Sequence, residues 1–190
     1  MLITNIASYI VICIFVFERL IELLVNQYNK KIMISKYAAT IKFPSEALQM
    51  RVFHVLWFTS LLFETYIGGK MLTGFGLYSC VVVLILAQAL RWYAIYTLGT
   101  NWSVDIYQMN AHPIIVKGPY AYIRHPNYLA VITEFIFLPL MLGCYFTLIA
   151  GLIANFFVLK RRIKLEEQSL DEELYSSKFN KKKRFLLTIA

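Results

Sequence analysis

Apolar runs long enough to cross a lipid bilayer recur along this chain, and they limit its possible folds more than any other feature. A hydrocarbon core of about 30 Å requires about 20 helical residues per crossing. Of the 190 residues, 59% are hydrophobic and 16% are charged, which is far from the balance of a soluble domain. A backbone segment in lipid must satisfy its own hydrogen bonds, so each run is predicted to be helical. We therefore predict one all-α domain, a polytopic bundle of transmembrane helices.

Five crossings are predicted from the positions of these runs. The stretch from Tyr128 to Leu159 is twice the length of one crossing, and Pro139 shortly precedes a break at Gly143, so it is predicted to be a helical hairpin. The first run has no basic region before it and carries charge in its second half, which does not fit a cleaved signal peptide. The predicted spans are residues 3–25, 52–67, 74–98, 128–142 and 145–159, followed by a cytosolic segment at 160–190.

The distribution of lysine and arginine predicts the orientation of these spans. The connection between the first two spans holds five basic residues against one acid, Glu46, and the tail after the fifth span holds nine. The connection between the second and third spans has only Lys70, and the hairpin turn has none. By the positive-inside rule, the N-terminus is predicted outside and the C-terminus in the cytosol, in a multi-pass membrane protein.

The net charge of +8 indicates membrane lipid as a partner rather than nucleic acid, because the basic residues lie beside the spans and not on a soluble face. The short basic run from Lys181 to Arg184 is predicted to contact anionic lipid headgroups. No segment indicates an obligate protein partner. The three cysteines, Cys13, Cys80 and Cys144, lack the paired spacing of a disulfide or zinc site and are predicted to be packing residues.

Charged residues inside the spans require partners, because each is costly in hydrocarbon. Glu18 and Glu22 share a helical face, and Arg19 can reach Glu22 three residues along. An internal ion pair and a polar entrance to a site are both compatible with this spacing. Arg91 and Glu134 both lie in the cytosolic half of their spans and can pair with each other.

The connection between the third and fourth spans has the densest set of turn-forming residues and polar aromatics in the chain. It reads HPIIVKGPYAYIRHPNY over residues 112–128. Gly118-Pro119 favours a tight turn, which would present Tyr120 from a fixed backbone. Long loops in compact domains are more often functional than idle, so this segment is the first candidate for a site.

Pro126 fixes the geometry at the end of this connection. It disfavours the α-helical region for His125 and is well suited to be the first residue of the following helix. Arg124 and His125 would then lie just ahead of a helix N-terminus, where free N–H groups and the helix dipole favour an anion. An arginine and a histidine at a membrane surface also fit simple interfacial anchors.

A second candidate element continues out of the fifth span. Arg162 and Glu166 are four residues apart and share a helical face, but this order is the weaker one for an ion pair. The two side chains can instead serve separate groups, with Arg162 on an anionic acceptor and Glu166 on the hydroxyls or amine of a cofactor.

Together these residues resemble the isoprenylcysteine carboxyl methyltransferase family of membrane methyltransferases, in its short bacterial form. The resemblance rests on Gly118-Pro119-Tyr120, on Arg124-His125-Pro126-Asn127-Tyr128 and on Arg162 with Glu166-Glu167, and it covers about residues 99–175. Phospholipid N-methyltransferases and membrane sterol reductases carry segments related to the second of these motifs.

The resemblance implies transfer of a methyl group from S-adenosyl-L-methionine to a lipophilic acceptor at the cytosolic face of the membrane. The acceptor group is expected to be the carboxylate, hydroxyl or enolate of a prenylated or polyketide-type lipid. Phospholipid N-methylation and a non-catalytic membrane scaffold remain as alternatives. No metal site is expected, because His54, His112 and His125 lack companion ligands. Neither a GxGxxG nor a P-loop pattern appears, so a soluble Rossmann methyltransferase or an NTPase is not supported.

The resemblance also assigns site residues. Asp105 stands where eukaryotic members have a glutamine that contacts the cofactor, and the catalytic candidates are Arg162, which would face the acceptor, and Arg124. The predicted cofactor-binding residues are His112, Pro113, Ile114, Ile115, Tyr120, His125, Pro126, Asn127, Tyr128, Glu166 and Asp105.

Overall fold

A computed structural model describes residues 2–108, 114–169 and 184–185 of the chain. This part of the protein is an all-helical bundle, as predicted, and contains two additional short strands. The helices are α1 (Leu2–Tyr37), α2 (Pro44–Ile67), α3 (Gly74–Leu98), α4 (Pro126–Leu142) and α5 (Tyr145–Ser169).

One segment in the described part, Gly74–Asn101, has the length and hydropathy of a membrane-crossing helix. The helix α4 is also apolar but shorter. In α1 the apolar sequence is interrupted by the charged residues Glu18, Arg19 and Glu22. The count of five crossings therefore stays a prediction, although the five predicted runs all lie in helices.

The core of the bundle is aromatic and lies where α2, α4 and α5 meet. The rings of Trp57 and Phe135 stack with their centroids 4.0 Å apart, and Leu61 and Leu138 are fully buried beside them. On α5, Gly151 faces this stack, since a Cβ atom there would lie 3.0 Å from the Trp57 ring. A side chain at this position would push α5 away from α2, so the glycine sets the distance between the two helices.

The hairpin between α4 and α5 turns at the predicted place. Gly143 has a φ of 70°, and a Cβ atom there would lie 2.3 Å from the carbonyl oxygen of Lys70. The amide of Leu72 donates to the carbonyl of Met141 at 2.9 Å. The α2–α3 connection and the α4–α5 turn therefore pack together at one end of the bundle.

Glu64, near the end of α2, stabilises the start of α5. Its carboxylate accepts hydrogen bonds from the amides of Phe146 at 2.9 Å and Thr147 at 2.8 Å. These amides belong to the first turn of α5, which has no intrahelical acceptors for them. Glu64 is thus a helix cap contributed by another helix.

The outward faces of the helices are apolar and exposed. Soluble monomers rarely expose apolar surface of this extent, which supports a membrane environment for the bundle. The exposed residues include Ile6, Ile10, Ile14 and Phe17 of α1, Val52, Leu56, Phe63 and Tyr66 of α2, Phe75, Val82, Ile85 and Leu86 of α3, and Phe146, Ile149, Ile153 and Phe157 of α5.

At the opposite end from the hairpin turn, α1 continues well beyond the predicted span. Buried Asn29 on this extension donates to the carbonyl of Trp102 at 2.8 Å and to that of Gly99 at 3.2 Å. Two short antiparallel strands, β1 (Thr40–Ile41) and β2 (Tyr107–Gln108), join the α1–α2 connection to the connection between α3 and α4. The long α3–α4 connection is therefore held across this end of the bundle.

Candidate functional site

A cavity of about 370 Å³ lies at the end of the bundle covered by the α3–α4 connection. This volume is within the range of small-molecule sites in proteins, roughly 300–1,000 Å³. Residues of all five helices and of the α3–α4 connection form its walls. Most of the predicted site residues line it, namely Asp105, Ile114, Ile115, Tyr120, Arg124, His125, Asn127, Tyr128, Arg162 and Glu166.

Three of the predicted site residues lie elsewhere or outside the described residues. Pro126 is buried as the first residue of α4 and shapes the entry of the chain into the helix, but it does not line the cavity. His112 and Pro113 fall outside the described residues. The prediction that α4 begins at Pro126, with His125 just ahead of it, is confirmed.

Arg162 and Glu166 meet at the cavity through Tyr128. The Nε atom of Arg162 donates to the Tyr128 hydroxyl at 2.9 Å, and that hydroxyl donates to the Glu166 carboxylate. The Nη2 atom of Arg162 donates to the carbonyl of Val104 in the α3–α4 connection. The Nη1 atom is buried and has no hydrogen-bond partner among the described residues. The guanidinium is therefore fixed on two sides and keeps a donor for a ligand.

Two further polar groups in the cavity wall are suited to a ligand. The Oδ1 atom of Asn127 is buried without a hydrogen-bond partner in the described part of the chain. Burial and the nearby Glu166 carboxylate raise the pKa of Tyr120 above its usual range, so its hydroxyl keeps its proton. Because buried polar groups are almost always hydrogen-bonded, a ligand that donates a hydrogen bond to the Asn127 oxygen would fit this wall.

His125 is positioned by its neighbours in α4 and α5. Its ring stacks on Tyr128 with the centroids 5.3 Å apart, and its Nε2 atom lies 3.2 Å from the Glu167 carboxylate. Arg184 also donates to Glu167, at 2.5 and 3.1 Å. Partial burial alone would raise the pKa of Glu167, but hydrogen bonds to His125 and Arg184 outweigh burial and lower this pKa to about 2. Glu167 is therefore a carboxylate throughout the physiological pH range.

The position of Arg124 and His125 just ahead of α4 was predicted to favour an anion, and the Glu167 carboxylate lies there. An Nη1 atom of Arg124 lies 3.8 Å from the same carboxylate, so the protein itself supplies a negative charge beside Arg124 and His125. Arg184, which was predicted to contact lipid headgroups as part of a basic run, pairs with Glu167, and its contact with lipid stays a prediction. The other members of that run, residues 181–183, lie outside the described residues.

Asp105 lines the cavity and is held by residues that the sequence did not indicate. Asn26 of α1 donates to its carboxylate at 3.3 Å, and a guanidinium nitrogen of Arg51 lies 3.8 Å away. The Oδ1 atom of Asn26 also accepts from the Ser103 hydroxyl and the Val104 amide, both at 2.7 Å. Asn26 thus fixes the backbone on which Asp105 is carried. A polar residue in the second half of α1 was the only available signal for this role.

A buried network of four charged residues lies at the inner end of the cavity. Arg19 binds the carboxylates of Glu22 and Glu134, each at 2.6 Å. Arg91 binds the same two carboxylates, at 3.1 and 2.8 Å. The two predicted pairs are therefore confirmed, but they form one network that joins α1, α3 and α4. Arg19, Glu22 and Arg91 also line the cavity, so the network is at the same time part of its polar wall.

The remaining cavity wall, between α1 and α2, is apolar. It consists mainly of Val16, Leu20 and Leu23 of α1 and Val55 and Phe58 of α2. Leu20 is 53% exposed and Val55 is 64% exposed, so this wall extends to the outer surface of the bundle. The cavity thus combines a polar end beside Arg162 with an apolar side that adjoins the membrane-facing surface.

Comparison with known proteins agrees with this geometry. The model of the isoprenylcysteine carboxyl methyltransferase (ICMT) family matches residues 80–172, which contain the α3–α4 connection and all of α4 and α5. Uncharacterized protein YpbQ of Bacillus subtilis (strain 168) is 31% identical over 164 residues, covering 86% of this chain and 96% of the relative.

A second relative matches a shorter stretch. An uncharacterized protein of Haemophilus influenzae is 38% identical over 91 residues, covering 47% of this chain and 53% of that protein. The matched family suggests a membrane methyltransferase. The family model matches the half of the chain that carries most of the cavity residues, and YpbQ is aligned over nearly the whole of its own length. This chain belongs to the isoprenylcysteine carboxyl methyltransferase family.

Proposed function

We propose that this protein is an S-adenosyl-L-methionine-dependent methyltransferase with a lipophilic acceptor, and that it works at the cytosolic face of the membrane. The acceptor group is the carboxylate, hydroxyl or enolate of a prenylated or polyketide-type lipid. The observation that supports this most is that one cavity joins the Arg162–Tyr128–Glu166 group to an apolar wall between α1 and α2. A polar cosubstrate and a lipid can meet in such a cavity.

The polar wall fits S-adenosyl-L-methionine in the kinds of groups it presents. The buried Asn127 Oδ1 atom can accept from an amine or ribose hydroxyl, the Tyr120 hydroxyl can donate, and Glu166 can accept at its carboxylate. These residues would hold the cosubstrate, together with His125 beside them. When bound, S-adenosyl-L-methionine supplies a methyl group on a positively charged sulfur.

Arg162 is the residue best placed to hold the acceptor. Its buried guanidinium is fixed by Tyr128 and Val104, and its Nη1 atom is unpaired among the described residues. An anionic oxygen bound there would be held in place away from water. Methyl transfer to such an oxygen is an in-line displacement that requires alignment and exclusion of water more than acid or base assistance. Correct alignment of reacting groups can contribute about 7–11 kcal/mol to lowering a barrier.

The two substrates would enter from different sides. The polar end of the cavity is covered by the α3–α4 connection, which we place in the cytosol, where the cosubstrate is dissolved. The apolar wall extends to the exposed outer face through Leu20 and Val55, where an acceptor lipid can enter from the bilayer. The apolar outer faces of the helices support such a position in the membrane.

Two measurements on detergent-purified protein test the proposal. Calorimetric titration with S-adenosyl-L-methionine should show binding, and incubation of lipid extracts with radiolabelled cosubstrate should label a lipid acid, hydroxyl or enol. Label in a methylated ethanolamine lipid would instead indicate a phospholipid N-methyltransferase. Absence of cosubstrate binding by folded protein would contradict the proposal and favour a non-catalytic scaffold.

A further inference from the structure

His54 lies in the wall of the cavity and has no part in the chemistry described so far. It is on α2, four residues after Met50 and four before Phe58, so the three side chains share one helical face. All three line the cavity that also contains Arg162 and Tyr128. An imidazole on an otherwise apolar wall therefore adjoins the space assigned to the acceptor.

The hydrogen bond of His54 determines which ring nitrogen is available to a ligand. The Nδ1 atom lies 2.8 Å from the carbonyl oxygen of Met50, and a carbonyl can only accept, so Nδ1 carries the hydrogen. In a neutral imidazole of this tautomer, the lone pair is on Nε2. The ring is further held by edge-on contacts with Phe135 and Phe53, each with centroids 5.8 Å apart. The position of Nε2 is thus set before any ligand binds.

The charged groups that act on His54 come from three other helices. They are Arg19 of α1, Glu134 of α4 and Arg162 of α5. Arg19 is neutralised by the carboxylates of Glu22 and Glu134, whereas the Nη1 atom of Arg162 has no partner among the described residues. The cavity therefore contains a proton-accepting nitrogen and a guanidinium that can bind the oxygen anion produced by deprotonation.

We propose that His54 is the general base of the reaction and that the acceptor is a hydroxyl or enol that must lose a proton. The inference rests on the proposed methyltransferase function. The acceptor O–H bond breaks and its proton passes to His54 Nε2, while the oxygen forms a bond to the methyl carbon. The C–S bond of the donor breaks, and sulfur keeps that electron pair and loses its positive charge. A carboxylate acceptor is already ionised at neutral pH and would need no such base.

The test compares two acceptors that differ in how readily they ionise. They are 4-pentadecylphenol, with a phenol pKa of about 10, and its 2-nitro analogue, which is mostly ionised at about pH 8. Methyl incorporation is measured for wild type and for His54→Gln. The variant should lose about 100-fold or more with the plain phenol, as expected for removal of a general base. With the nitrophenol it should remain close to wild type, because that acceptor arrives without its proton.

Controls separate this role from a structural one and from failure of the proposed function. Cosubstrate affinity by calorimetry should be equal in wild type and His54→Gln, which shows that the variant is folded. Phe58→Leu, on the same face of α2, should slow both phenols to a similar degree, because it alters only the apolar wall.

Three results would overturn the inference. One is equal slowing of both phenols by His54→Gln, which would show a structural role. Another is a wild-type protein that binds the cosubstrate but methylates hexadecanoic acid and neither phenol, which would leave the proposed function intact. The third is a wild-type protein that does not bind the cosubstrate, which would contradict the proposed function as well.

Discussion

Arg162 is 5% exposed, and three atoms of its guanidinium have different surroundings: one faces Tyr128, one faces Val104 and one has no described partner. A lysine keeps the charge at this position but cannot donate in these separate directions from one planar group. We expect Arg162→Lys to leave cosubstrate affinity near wild type and to lower turnover by about ten- to a thousand-fold, or roughly 1.4–4 kcal/mol. Calorimetry and methyl incorporation on the same preparation measure both effects.

Glu166→Gln provides the matched comparison for that experiment. It removes the charge proposed to bind the polar groups of the cosubstrate and weakens the acceptor of the Tyr128 hydrogen bond. We expect weaker cosubstrate binding as its first effect. Loss of cosubstrate binding in Arg162→Lys, together with normal binding in Glu166→Gln, would reverse the roles assigned to the two residues.

The buried charge network leads to a prediction about the stability of two single-residue variants. Glu134→Gln should leave the guanidiniums of Arg19 and Arg91 without one of their two carboxylates, and breaking a buried pair in this way typically costs about 3–5 kcal/mol. The control is Glu18→Gln, whose carboxylate accepts from the Trp92 indole at 2.6 Å outside this network. Thermal unfolding in detergent should show a much larger loss for Glu134→Gln, and equal losses would contradict a central role for the network.

The sequence predicted some of these residue contacts and missed others, for a physical reason. The Arg19–Glu22 pair follows from helical spacing alone, so it could be predicted. In the structure, Arg19 and Arg91 each bind both Glu22 and Glu134. These contacts depend on how α1, α3 and α4 pack, which the spacing of residues within one helix cannot predict. The same holds for Asn26, whose contacts with Ser103 and Val104 span more than 75 residues of sequence.

At the scale of elements, the start of α4 and the end of α5 are connected by Glu167, which accepts from His125 and Arg184. Its pKa in the folded protein is about 2, below its ordinary value of 4.5, so folding favours the charged form. The resulting stabilisation is present above pH 4.5 and is lost as the pH falls through about 2.

Glu167→Gln should therefore be less stable than wild type near pH 7, and the difference between them should shrink as the pH approaches 2. Thermal unfolding in an acid-stable detergent at several pH values measures this. Arg184→Gln should reproduce part of the loss, because it removes one of the two donors. A difference between Glu167→Gln and wild type that stays constant from pH 7 to pH 3 would contradict the prediction.

Helix boundaries were predictable where apolar sequence and helix coincide. The α3 helix has the bounds predicted for the third span, and α4 and α5 meet at the predicted turn beside Gly143. The α1 helix extends twelve residues past the predicted span, to Tyr37, because its second half buries Asn26 and Asn29 against the α3–α4 connection. Hydropathy finds helices through apolar faces, so it does not detect a helix whose buried face is polar.

At the scale of the whole molecule, the connections fall at two ends. The α2–α3 connection and the α4–α5 turn pack together at one end through Leu72 and Gly143, whereas β1 and β2 join the α1–α2 and α3–α4 connections at the other. The basic connections predicted to be cytosolic lie at the β1–β2 end. The cavity is at that end too, which is where a soluble cosubstrate would be available under the predicted orientation.

This arrangement leads to a test of orientation in cells. Lys70 is exposed at the hairpin end and Lys164 is exposed on α5 beyond the predicted span, so cysteines at these positions report on opposite faces. In a background without Cys13, Cys80 and Cys144, an impermeant maleimide should label Lys70→Cys in intact cells and Lys164→Cys only after permeabilisation. A reporter enzyme that works only in the cytosol should be active when it is fused after Ala190, because the positive-inside rule places the basic segment in the cytosol. Labelling of Lys164→Cys from outside intact cells would mean that the chain crosses the membrane an unexpected number of times, and it would place the cavity on the side where S-adenosyl-L-methionine is not made.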